Sequence, residues 1–183
     1  MRILITALLA VSLAACGTFT DSLDSRPNAG PCPPVGSLYN AARIVDFGEA
    51  EQVYGNIQYT GEIVDVRSVC RYVEDDPVRA ELEVDFAFGR GPSGTDNRHD
   101  FAYWVAVTRR DGKVLHKEWF DIRADFSEQN VTGASDVLQR IVIPRVDDSI
   151  SAANFEIIVG FELTESQLTF NKEGHRFRLS AGQ

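Results

Sequence analysis

The sequence has no apolar run of the roughly 20 residues that a membrane-spanning helix needs, no Cys-x-x-Cys, no Gly-x-Ser-x-Gly and no excess of positive charge. Its three histidines, His99, His116 and His175, are scattered, so zinc spacing is missing. The pairs Asp75-Asp76 and Asp147-Asp148 lack the alternating oxygen ligands of a calcium loop, and each reads as a turn between strands. Lys and Arg number 18 against 27 Asp and Glu, a net charge of −9, which argues against nucleic acid as the partner. No internal repeat and no long amphipathic helix are visible. These absences exclude several classes of metalloprotein, hydrolase and nucleic-acid binder, and no cofactor is implied.

What is present begins with a signal. Arg2 is followed by thirteen apolar or small residues, Ile3 to Ala15, ending on small residues before Cys16, which is the anatomy of an export segment. Leu13-Ala14-Ala15-Cys16 resembles the bacterial lipobox, in which the cysteine receives the lipid and becomes the first mature residue. Residues 1–15 are therefore expected to be a lipoprotein signal peptide and Cys16 the lipidation site; the alternative is an ordinary secretory signal. Several acyl chains on one cysteine anchor durably, since each buried methylene contributes about 0.8 kcal/mol. Loss of Arg2 with the signal takes the net charge from −9 to −10.

With Cys16 assigned to lipid, Cys32 and Cys70 form an even pair in an oxidising compartment, and a disulfide between them is expected. Residues 16–34 hold four prolines and little to bury, so they read as a lipid-anchored flexible tether. About 15 residues between lipid and Cys32 reach about 50 Å when fully stretched.

Residues 35–171 read as one domain. Glu81 to Phe88 alternates strictly, with Leu82, Val84, Phe86 and Phe88 on one face; Asn154 to Leu163 does so with Phe155, Ile157, Val159, Phe161 and Leu163. Further strands are expected near 41–47, 57–67, 101–108, 114–122 and 137–143. About seven strands predict an all-β, antiparallel β-sandwich of immunoglobulin or fibronectin-III type, a barrel being the alternative. Thr164 and Gln167 fit a capping box for one helical turn that would fold Leu168 and Phe170 back on the domain. Residues 172–183 read as a polar tail.

The loop Gly89 to Gly94 matches Gly-x-Gly-x-x-Gly, but no helix follows to receive a phosphate, so it reads as a connection between strands. Ser93 has no evident base apart from sequence-near His99. More informative is Phe101 to Ile122, with Asp111-Gly112 at its centre. Asp-Gly predicts a two-residue turn, pairing Arg110 with Lys113 and hence Trp104 with Trp119, on a face shared with Ala102, Ala106, Leu115 and Lys117. Trp104 and Trp119 form a candidate docking shelf for a protein or glycan. The alternatives are that PCPP or the helical turn covers it, or that this face is the core. Arg109 and Arg110 at the hairpin tip are candidate contacts for an acidic partner.

Leu13 to Cys16, Cys32-Pro33-Pro34, Val69 to Tyr72, Val105 to Asp111, Ile141 to Pro144 and Val159 to Asn171 together resemble a family of small uncharacterised lipoproteins of alphaproteobacteria. The resemblance implies a lipidated envelope protein with an all-β domain, without an activity or site residues to transfer. Gly17 after the lipidated cysteine resembles the sorting pattern for the outer membrane. The expected function is a non-enzymatic binding or adaptor module, anchored to the outer membrane, facing the periplasm and holding an envelope protein. The alternative is a glycan- or small-molecule-binding lipoprotein; oligomeric state is left open.

Overall fold

The computed structural model describes residues 30–72, 77–144 and 149–175. The predicted signal segment, Cys16, the tether up to residue 29, both aspartate pairs and the tail from residue 176 lie outside the described residues.

Alternation places the core. In β4 (Val78–Arg90) every second residue from Val78 to Phe88 points inward and is buried, and in β8 (Phe155–Phe161) Phe155, Ile157, Val159 and Phe161 do the same. β4 lies between β3 (Tyr59–Arg71) and β7 (Val131–Ile143), with β2 (Arg43–Asp46) outside β3. The facing sheet has the order β1 (Val35–Ser37), β8, β5 (Arg98–Arg109), β6 (Val114–Asp125). The chain crosses between sheets from β1 to β2, from β4 to β5, from β6 to β7 and from β7 to β8, and β4 pairs with β7 and β5 with β8. All-β sandwich architecture follows, held by interlocked rings such as Phe88 stacked on Phe101 at 4.5 Å and Phe86 edge-on to Tyr103 at 5.0 Å.

The eighth strand, β1, is the one that the pattern does not announce. It pairs parallel to β8, with Ile157 N donating to Pro34 O at 3.0 Å and Leu38 N to Val159 O at 2.8 Å. The chain entering β1 is clasped twice by β3 and the residue beyond it. Cys32 and Cys70 form the expected disulfide, with Cα atoms 5.6 Å apart. Tyr72 Oη donates to Pro31 O at 2.6 Å and accepts from Ala152 N at 3.0 Å, tying the incoming chain to the segment before β8.

Helix α1 (Glu165–Lys172) is longer than the single turn expected. The capping box forms, with Gln167 N donating to Thr164 Oγ1 at 3.3 Å and Thr164 N to Gln167 Oε1 at 2.9 Å. Phe170 is buried with Val45, Phe47 and Ile57, while Leu168 is half-buried. Asn171 Nδ2 donates to Asn40 O and Arg43 O at 2.9 and 2.8 Å, seating the helix against β2.

The β5–β6 hairpin pairs Trp104 with Trp119 as counting predicts, but its tip differs. Arg109 N donates to Lys113 O at 2.9 Å, closing a three-residue loop, Arg110 to Gly112, with Gly112 at φ +84°. A three-residue loop shifts the pairing by one, and a bulge at Leu115 restores it: Thr108 faces Val114, yet Val107 faces His116. Leu115, expected beside the tryptophans, packs against the core instead.

Candidate docking surface

The buried side of the hairpin is the one carrying Phe101 and Tyr103, which leaves the tryptophans on the outer face of the sheet. Trp104 is half-buried because it lies across Gly160, its cross-strand neighbour on β8. A Cβ at Gly160 would come within 2.5 Å of the indole and 2.9 Å of the Ala41 Cβ, so only glycine lets the ring settle there. Trp104 Nε1 donates to Phe161 O at 3.1 Å. Gly160 and Ala41 are thus the groups that seat this ring.

Trp119 is 58% exposed, and its Nε1 donates to Glu162 Oε2 at 2.9 Å. Lys117 Nζ lies 4.4 Å from the centroid of Trp104, 4.8 Å from that of Trp119 and 4.0 Å from Glu162 Oε2. Cation–π attraction of about 0.5–1 kcal/mol per exposed contact favours this posture. The surface is therefore an aromatic pair bridged by one ammonium and edged by one carboxylate. A sugar stacking on either ring would have to compete with Lys117, whereas a protein surface can meet the Trp119 edge and the Lys117–Glu162 charges as they stand.

The arginines do not join this surface. Arg109 is five residues along β5 from Trp104, about 16 Å at strand spacing. Arg110 braces the fold: Nε donates to Ala153 O at 2.7 Å and its backbone N to Asn154 O at 3.2 Å.

Nor do Ser93, His99 and His116 assemble a relay. Ser93 Oγ donates to Gly55 O at 2.8 Å. His99 is stacked on Tyr59 at 4.0 Å, with Nε2 4.0 Å from Asp46 Oδ2; burial lowers its pKa against the opposing pull of Asp46, Asp100 and Asp96. His116 Nε2 is 2.8 Å from Glu118 Oε1 in an exposed pair. The Gly-x-Gly-x-x-Gly loop packs on the backbone before β3, with Gly91 N donating to Gln58 O at 2.8 Å and Ser93 N to Ile57 O at 3.0 Å. Gly91 and Gly94 serve close backbone approach, and β5 follows where a nucleotide site would need a helix. Among the described residues no group of three or more His, Cys, Asp or Glu side chains is arranged to hold a metal ion.

Glu162 is the member that sequence reasoning missed. It reaches Trp119 because Glu162 N donates to Ala102 O at 2.9 Å, continuing the β8–β5 pairing, and nothing local to Glu162 signals that register. Compared with protein-family models, with curated proteins and with solved structures, the chain matches none.

Proposed function

We propose that this protein is a non-enzymatic adaptor lipoprotein of the bacterial envelope, held by lipid on Cys16 at the outer membrane, facing the periplasm and binding another envelope protein. The observation that carries the reading is Trp119: a large indole left 58% exposed, yet fixed by Glu162 and Lys117, on the outer face of a sheet. Preordered aromatic anchors of this kind dominate protein interfaces because they lose little entropy on binding. The clasp at Cys32 and Pro31 supports the anchoring part, since it gives a preceding tether one fixed point of attachment.

The test is co-purification from native membranes after mild crosslinking, comparing the intact chain with Trp119→Ala and identifying bound proteins by mass spectrometry. A near-stoichiometric partner lost in a variant that still folds supports the reading. If the intact chain retains no partner, or Trp119→Ala retains it fully, the docking role of this surface is wrong.

A further inference from the structure

The two sheets have four edges, and three carry features that discourage pairing. β1 is three residues long; β2 is four residues long and held against α1 through Asn171. β7 is long but bulged against β4 between Ala80 and Leu82, and its Asp136 turns inward. Short edges, bulges and inward charges are the ordinary devices that keep strands from recruiting neighbours. β6 has its bulge, at Leu115, only at its start and its inward Glu118 at the open rim of the sandwich; from His116 to Asp125 it keeps an unbroken register against β5, and among the described residues no strand pairs with its other side.

The charges on β6 then identify what fits it. On the outer face Lys117 precedes Trp119 by two residues and Asp121 follows it by two. Within the chain Lys117 faces Ala106 and Asp121 faces Ala102 across β5, so neither has a charged residue directly opposite, and Lys117 meets Glu162 beyond β5 at 4.0 Å. We propose that β6 pairs antiparallel with β6 of a second copy of this chain, with Trp119 opposite Trp119. This register sets Lys117 against Asp121 of the second copy, twice by symmetry. Sliding by two residues in either direction, the smallest slip that keeps like faces together, brings Glu118 onto Glu118 or Lys117 onto Arg123, both like-charge pairs that disfavour pairing.

The inner side agrees. A groove of about 410 Å³ opens between β6 and β7, lined by Leu115, Phe120, Leu138 and Ile141 with His116 and Glu118. In the Trp119 register, Phe120 and Ile122 of the second copy lie opposite Glu118 and His116 and cover its mouth. The dimer joins two four-stranded sheets into one and is isologous, as a two-fold contact must be. The inference concerns the edge of the sheet and does not depend on the partner-binding role of its face.

The test uses membranes containing the full chain. Trp119→Cys is expected to give a covalent dimer on mild oxidation, because residues facing each other across a strand pair have Cβ atoms about 4.5–5.5 Å apart. A Lys117→Cys/Asp121→Cys chain, which keeps both tryptophans, is expected to crosslink as well. These two positions are about 13 Å apart along one strand and do not bridge within a chain. Adding Asp121→Lys to Trp119→Cys should abolish the dimer, and adding Lys117→Asp to that should restore it. Absence of dimer in both cysteine variants with the Cys32–Cys70 bond intact, equal crosslinking at Val137→Cys on β7, or failure of the charge swap to restore pairing would each overturn the proposal.

Discussion

Tyr103 Oη donates to Asp136 Oδ2 at 2.7 Å, joining a fully buried ring on β5 to a carboxylate turned inward from edge strand β7. Tyr103→Phe removes the donor and leaves an inward carboxylate without it, so urea denaturation should show a loss of about 1–3 kcal/mol. Burial, then the Asp136 carboxylate, push the phenol above its usual pKa near 10. A raised phenol pKa favours the neutral form in the fold. Its contribution is therefore complete below about pH 10 and drains away as pH rises beyond that. Between pH 10 and 12 the native chain should lose stability more steeply than Tyr103→Phe.

Cys70 and Tyr72 hold the same incoming segment, so their contributions should not add. The disulfide closes a separation of 38 residues, for which chain entropy gives about 4 kcal/mol. Tyr72→Phe should cost about 1–2 kcal/mol by stranding Pro31 O and Ala152 N. In the Cys32→Ser/Cys70→Ser background the same change should cost clearly less, because the segment is already loosened; equal costs in both backgrounds would show the two clasps to be independent.

Gly91 offers a test of what the glycine-rich loop is for. A Cβ there would run into the Ile57 carbonyl, while a Cβ at Gly55 meets nothing within 4 Å. Gly91→Ala should therefore lower the thermal midpoint, at a cost of about 1–3 kcal/mol typical of forced backbone shifts. Gly55→Ala should leave it nearly unchanged.

The readable parts of this protein are those where neighbours in sequence are neighbours in space. Strict alternation places Leu82 to Phe88 inward, and the capping box needs only Thr164 and Gln167. Counting through the Asp111-Gly112 tip gives the Trp104–Trp119 pair, although a two-residue turn is not what produces it: the loop has three residues and the bulge at Leu115 compensates. A one-residue bulge leaves no periodic mark, because it changes the period only once. β1 was unreadable for a different reason, since three residues recognised through backbone atoms carry no side-chain pattern. Glu162 and the Tyr72 clasp depend on pairings between segments 43 and 80 residues apart, which one chain's local pattern does not encode.

Asp125 closes β6 in a turn that should resist acid. Its Oδ1 accepts from Ser127 N at 2.9 Å and its Oδ2 from Arg98 Nε at 2.9 Å. Ser127, through its hydroxyl and its backbone N–H, and then Arg98 hold the carboxyl at about 2, below the usual carboxylate range. A lowered carboxyl pKa favours the charged form in the fold, so this contribution is present above about pH 4 and is lost as pH falls through about 2. Carboxyl carbon shifts followed by NMR should place the Asp125 midpoint near 2. Ser127→Ala should move that midpoint upward more than Arg98→Ala does, because the hydroxyl contributes more than the exposed guanidinium, which solvent screens. The reverse order would mean that the ion pair, and not the turn, fixes the end of β6.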